Sequence, residues 1–286
     1  MNVLIAAAML AGSLTSTAPA SAEGGTYWQV ETVFSMTHPR QVGSGYWVNE
    51  RRSSSDWWTK DGRSWTGFRP QGTRPASPAD EAKWKADGSP TSWTYRTEGM
   101  KVKLSTKPGE GWVKPVGGRP GFHWNEHSIT FQELQRFPKD AAALKSKVTA
   151  DFQEWAEAAA EEAKTTAPGS KLDDWTSRQD YYVADILSQL LYQWPVTKET
   201  RTAAFQALKT VPGVRDLGGN TFALPTYKGK RDQVDKLVTV DPTSMTLRSL
   251  AVESKVDGKA VPGKTNLTTF TKVGWTDQKP AVPAAD

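Results

Sequence analysis

The hydrophobic period of this 286-residue chain changes twice along its length, and that change limits its possible folds more than any single motif does. In TYWQVETVF (26–34), Trp28, Val30, Thr32 and Phe34 alternate with Tyr27, Gln29 and Glu31, the period of a strand with one buried face. GYWVNERR (45–52) reads as a second strand. From residue 138 the period becomes helical: after Asp140 as N-cap, Leu144, Val148, Phe152, Trp155 and Ala159 form one stripe of an Ala-rich helix. After the breaker Ala167-Pro168-Gly169, a second helix is predicted over 173–194, with Val183, Ile186, Leu187, Leu190, Leu191 and Trp194 facing the core. A third begins at Thr197, carries Phe205 and Leu208, and stops at Pro212-Gly213. Beyond it strands return in NTFALPTY (220–227), QVDKLVTV (233–240), MTLRSLAVESKV (245–256) and TNLTTFTKVGW (265–275). Asp241-Pro242-Thr243-Ser244 reads as a turn and Asp257-Gly258 as a hairpin turn. The order strands, helices, strands predicts an α+β domain over 23–277 whose antiparallel sheet is completed by both ends of the chain.

Three local readings refine this. In DWWTKDGRSWTGF (56–68), Asp61-Gly62 predicts a two-residue hairpin in which Trp58 faces Trp65 across the strands. Residues 69–91 are punctuated by Pro and Ser and read as a long loop with one helical turn at Glu81 to Lys85. Residues 278–286 (QKPAVPAAD) read as a disordered tail.

The apolar run from Val3 to Leu10, followed by Ala20-Ser21-Ala22, fits a signal peptide over 1–22, although no Lys or Arg precedes the run. As a residual membrane anchor it is short of the roughly 20 apolar residues that span a bilayer. The expected location is therefore extracytoplasmic, secreted or membrane-associated through this segment. With no cysteine, the chain has no disulfide, thiolate metal site or cysteine nucleophile, so packing alone must hold it together. A formal charge of +5 favours adhesion to anionic envelope surfaces. Nucleic acid is not an expected partner, because acids are interspersed among the basic residues and export removes it.

HWNEH (123–127) has the H-x-x-E-H spacing that places two histidines on one helix face to bind zinc, with the glutamate as general base. That chemistry requires a helix, and the run Val116-Gly117-Gly118-Arg119-Pro120-Gly121 before it and the β-branched Ile129 and Thr130 after it oppose one. Glu154, Glu157, Glu161 and Glu162 could formally supply a third ligand but read first as the exposed face of an amphipathic helix. There is no G-x-S-x-G elbow, phosphate loop or dinucleotide fingerprint. Asp173 and Asp174 read as charges serving a helix N-terminus. The expectation is no catalytic set, no metal and no cofactor.

Several stretches together resemble a family of uncharacterised exported or membrane-anchored actinobacterial proteins often encoded beside extracytoplasmic-function sigma factors. They are YWQVET (27–32) with WWTKDGRSW (57–65), LQRFPKDAAALKSKV (134–148), ILSQLL (186–191) with FQALKTVPGVRDLG (205–218), and VTVDPTSMTLRS (238–249). The resemblance spans about residues 26–275, and its motifs are structural. It implies the open half-barrel of periplasmic lipoprotein carriers and sigma-regulatory sensors (LolA/RseB-like): a strongly curved antiparallel sheet, formed by N- and C-terminal strands, packed on about three central helices. Export, many strand-borne tryptophans and the absence of a catalytic set together point to non-catalytic binding or sensing of a lipid, lipoprotein or other envelope component, with Trp28, Trp58 and Trp65 as the first wall residues of an apolar cavity. The alternatives are an envelope-interaction or sigma-regulating protein with a filled core, and a zinc metallopeptidase using HWNEH.

Overall fold

The computed structural model describes residues 24–97, 100–118, 121–124, 127–166, 178–229 and 231–285. The expected signal segment, the breaker at 167–169 and the first residues of the predicted second helix lie outside the described residues. In chain order the elements are β1 (Tyr27–Thr37), β2 (Val48–Trp58), β3 (Ser64–Pro75), α1 (Pro78–Ala86), β4 (Ser92–Thr97), β5 (Met100–Ser105) and β6 (Trp112–Pro115). There follow β7 (Phe122–Trp124), β8 (His127–Ile129), α2 (Phe131–Gln135), α3 (Ala141–Thr166), α4 (Gln179–Gln189) and α5 (Lys198–Leu208). The chain closes with β9 (Arg215–Asp216), β10 (Thr221–Ala223), β11 (Tyr227–Lys228), β12 (Asp232–Asp241), β13 (Thr246–Val256) and β14 (Lys259–Thr276).

The architecture is α+β with one large open antiparallel sheet, ordered β6-β3-β2-β1-β14-β13-β12-β10-β9, with β11 added to β12. The two ends of the chain meet inside it: β1 pairs with β14 from Tyr27↔Thr276 to Met36↔Asn266. Trp28 lies opposite Trp275 on one side and Trp58 on the other, so three indoles share one sheet face. The helices pack on this face. Asp140 caps α3 by accepting from Ala143 N at 2.9 Å, and Leu144, Val148, Phe152 and Ala156 are its buried stripe. Leu144 and Val148, together with Leu187, Leu191, Ala204 and Phe205, share one core with Val238, Val240 and Leu247 of the sheet. Trp28 is 1% exposed, its indole N–H donates to the Tyr192 carbonyl at 3.2 Å, and its ring packs edge-on against Trp275 at 5.8 Å.

The DG hairpin differs from its predicted form. Thr59 N donates to the Arg63 carbonyl and Gly62 N to the Thr59 carbonyl, which leaves three residues in the loop with Gly62 at φ +83°. The Thr59 hydroxyl bonds the Asp61 carboxylate, and Arg63 Nε donates to it at 2.9 Å; these contacts favour the longer turn. The extra residue shifts the register, so Trp57 faces Trp65 and Trp58 faces Ser64.

Residues 69–91 also depart from the loop expectation. β3 continues through Pro70 to Pro75 with Gln71 as an extra residue between Pro70↔Arg52 and Gly72↔Arg51. Gly72 sits there at φ +84°, a conformation a bulge of this kind needs and glycine supplies without strain. The helical turn expected near Glu81 is the whole of α1, capped by Ser77, whose hydroxyl accepts from Asp80 N at 3.1 Å. Beside it Val42, Tyr46, Val48, Trp93 and Leu104 form a second, smaller core. Residues 278–285, expected to be disordered, lie along β3, where Arg69 and Gln71 hold their carbonyls.

Trp28→Ala is expected to cost about 3–5 kcal/mol in urea-unfolding free energy, because the cavity would open under the sheet where the two chain ends join. Trp65→Ala, at a half-buried position, should cost clearly less.

Candidate functional site

β2 is the strand that builds the site. Asp56 and Trp58 are two residues apart and therefore point to the same face, the one that carries Trp28. Trp28 is covered by the helices, but Trp58 lies at the edge of their cover, beyond the end of α4. A pocket of about 440 Å³ opens there, walled by Trp58, Phe122, Trp194, Val116 and Gln193 with Asp56 among them. The glycines of the run 116–121 contribute backbone rather than side chains to its rim: a Cβ on Gly117, Gly118 or Gly121 would meet nothing within 4 Å.

Two hydrogen bonds and a ring cluster hold the wall. Trp194 Nε1 donates to the His123 carbonyl at 3.0 Å, and Trp124 Nε1 donates to Asp151 Oδ2 of α3 at 2.6 Å. Trp124 packs edge-on against Phe137 at 4.8 Å and Trp194 at 5.0 Å. The β7 wall of the pocket is therefore pinned to the helical layer through two indoles. Burial pushes the Asp56 carboxyl above the usual carboxylate range, against an opposing hydrogen bond from Thr66. A half-buried acid beside aromatic walls holds its proton more readily than an exposed one, and it supplies the one carboxyl of a lining that also includes Arg63, Ser64, His123 and Gln193.

Of the three tryptophans expected to wall a cavity, only Trp58 turns its side chain toward one. Trp28 is core. Trp65 borders the pocket, but its ring packs edge-on against Tyr27 at 5.8 Å, a residue on the other face of the sheet. The register shift in the hairpin is the reason, since it separates Trp58 from Trp65. Asp56 was not singled out from the sequence, where Trp194 reads only as a core-facing residue of the second helix. The signal for Asp56 was present in the i, i+2 spacing to Trp58, and that for Trp194 in its place just before the helix stop at Pro195.

The HWNEH stretch forms strands where it is described. β7 pairs with β8, with Trp124 opposite His127 and His123 opposite Ser128. Phe122 and Trp124 are buried whereas His123, His127 and Ser128 are exposed, the alternation of a strand rather than the single face of a helix. Asn125 and Glu126 lie outside the described residues. The two histidines thus lack the one-turn helical spacing that the zinc reading requires, and among the described residues no group of three or more His, Asp or Glu is placed to hold a metal ion. Asp173 and Asp174 lie outside the described residues. Asp185 of α4 pairs with Lys236 of β12 at 2.6 Å and ties helix to sheet.

No family model matches the chain, and no curated protein matches it. A solved structure described as a MaoC-like dehydratase aligns over 85% of this chain and 75% of its own at 14% identity, with a TM-score of 0.14, a likeness too slight to carry an argument.

Asp56→Asn tests the electrostatics. A carboxyl whose folded-state pKa is raised lends stability below its unfolded pKa and loses it as pH rises through the folded one. Asp56→Asn should therefore melt higher than wild type at pH 7, and the gap should close below about pH 4. Differential scanning calorimetry across that range reads the effect; a gap independent of pH would remove the raised carboxyl from the account.

Proposed function

We propose that this chain is an exported, non-catalytic binding protein that holds a small amphiphile in the pocket at Trp58, on a sheet curved into an open half-barrel. The observation that carries the reading is the pocket's lining: the Trp58, Phe122 and Trp194 rings beside the half-buried Asp56 carboxyl, with Arg63, Ser64 and Gln193 as further polar groups. Such a site favours an apolar body with one hydrogen-bond donor, such as a hydroxyl, amide or ammonium group, directed at Asp56. Its volume falls within the roughly 300–1,000 Å³ range of small-molecule pockets.

The curvature is supported by register shifts in four places, at Glu31/Thr32, Arg51/Arg52, Thr239/Val240 and Glu253/Lys255. Each extra residue bends its strand and strengthens the local twist. The export reading rests on the apolar N-terminal run, and the sensor or carrier role on the resemblance to the sigma-factor-linked exported family. The space between Trp28 and the helices is packed, so a long acyl chain would not lie there. The ligand is then a short amphiphile, or one end of a longer one reaching out past the glycine rim. That packed core also favours a second reading, an envelope-interaction protein that takes no small ligand.

Titration with the fluorescent amine N-phenyl-1-naphthylamine separates the two. The pocket should bind it at unit stoichiometry, Trp58→Ala should weaken binding by about tenfold or more through loss of one wall, and Trp65→Ala should leave it nearly unchanged. No binding, or equal binding by Trp58→Ala, would favour the interaction protein instead.

A further inference from the structure

The face of β2 and β3 opposite the pocket has its own occupant. Trp57, Ser55 and Ser53 alternate with Trp58 and Asp56, so they point away from the pocket. With Gln29 of β1 and Gln71 of β3 they form a buried polar and aromatic floor, Trp57 at 3% exposure and Gln71 at 2%. Residues 278–285 run over it. Arg69 Nε donates to the Pro283 carbonyl at 2.6 Å, and Gln71 Nε2 donates to the Ala284 carbonyl at 2.6 Å. Pro283 is buried, whereas Ala281, Val282, Ala284 and Ala285 are exposed.

Two glycines make the slot. A Cβ on Gly67 would lie 3.1 Å from both the Ala281 oxygen and Pro283 Cδ and 3.2 Å from the Trp57 ring, so the prolyl ring and the indole sit side by side. A Cβ on Gly111 would lie 2.4 Å from Val282 Cγ1. The tail pairs with no strand among the described residues. It is held by side-chain donors on its carbonyls and by one proline against an indole, which is how grooves recognise polyproline II segments.

One donor in this floor is unused: Trp57 Nε1 is buried with no hydrogen-bond partner among the described residues. Leaving a buried donor unpaired costs about 1–3 kcal/mol. The tail therefore fits the groove incompletely.

We propose that this face is a docking groove for an extended, proline-containing segment of a partner protein, and that residues 278–285 are a displaceable cis occupant. The groove recognises backbone carbonyls and a single prolyl ring, features that a partner segment of the same chemistry supplies equally well. A better ligand places a carbonyl on Trp57 Nε1. The site lies on the opposite sheet face from the amphiphile pocket and does not depend on it.

The test uses a fluorescently labelled peptide of this chain's own residues 278–285, QKPAVPAA, and the full chain carrying Val282→Asp and Pro283→Gly to weaken the cis occupant. Anisotropy should show binding at unit stoichiometry, at least tenfold tighter than to wild type, and adding Arg69→Ala should abolish it. Circular dichroism checks that each variant is folded. A folded, tail-weakened chain that ignores the peptide, or one whose Arg69→Ala derivative binds equally well, overturns the proposal. Should the tail-weakened chain not fold, the wild type decides by NMR. A tethered tail competes at an effective concentration on the order of millimolar, so the same peptide carrying a nitroxide spin label, added at that level, should broaden the Trp57 indole N–H signal. An indole signal that stays sharp overturns the proposal.

Discussion

The pairing of β1 with β14 is the contact on which the rest of the structure depends. It joins residues near opposite ends of the described chain, with Tyr27 opposite Thr276, and it lies in the middle of the sheet rather than at an edge. Without it the sheet divides into an N-terminal group, β6-β3-β2-β1, and a C-terminal group, β14-β13-β12-β10-β9. Closing so long a loop costs entropy before any packing offsets it. The offset comes from the indoles at the seam: Trp28 and Trp275 meet edge-on, Trp58 flanks them, and the helical layer seals Trp28 from above. The helices lie between the two strand groups in sequence and bridge them in space, as the Asp185–Lys236 pair and the Trp28–Tyr192 bond illustrate.

Strand alternation then divides the chemistry of β2 between two faces. Asp56 and Trp58 look toward the helices and the pocket, while Trp57, Ser55 and Ser53 look toward the C-terminal segment. A one-residue slip in the β2–β3 hairpin would exchange partners across the strands, so the three-residue turn at Lys60-Asp61-Gly62 sets both sites at once. The ion pair of Asp61 with Arg63 and the positive φ of Gly62 are local, yet they determine which indole of the Trp57-Trp58 pair meets Trp65.

Much of the fold was legible in the sequence. The first three positions of the α3 stripe, the Asp140 cap, the helix start at Thr197, the Asp257-Gly258 turn and the antiparallel sheet shared by both ends follow from period and turn chemistry, which are local, whereas the stripe continues through Ala156 rather than Trp155 and Ala159. Three features were not. The hairpin register depended on a side-chain bond from Thr59 that the DG signal does not encode. The extension of β3 through two prolines depended on a bulge at Gln71. The order of the C-terminal residues depended on Arg69 and Gln71, more than 200 residues away in sequence. Trp58 borders the pocket and Trp28 is core, a difference the sequence does not carry because a filled core and a lined pocket produce the same alternating aromatic pattern. The H-x-x-E-H spacing misleads for the converse reason: the same letters fit a helix face and a strand, and the pairing of β7 with β8 and the alternating burial of Phe122, His123 and Trp124 distinguish them.

The central claim is that the pocket beside the sealed Trp28 seam holds a small amphiphile against Trp58 and Asp56. Native mass spectrometry of the protein recovered from its producing cell tests it most directly. The account predicts one added mass per chain, extractable into organic solvent and missing from Trp58→Ala. A bare chain mass in both proteins, or an added mass that Trp58→Ala retains in full, would contradict it.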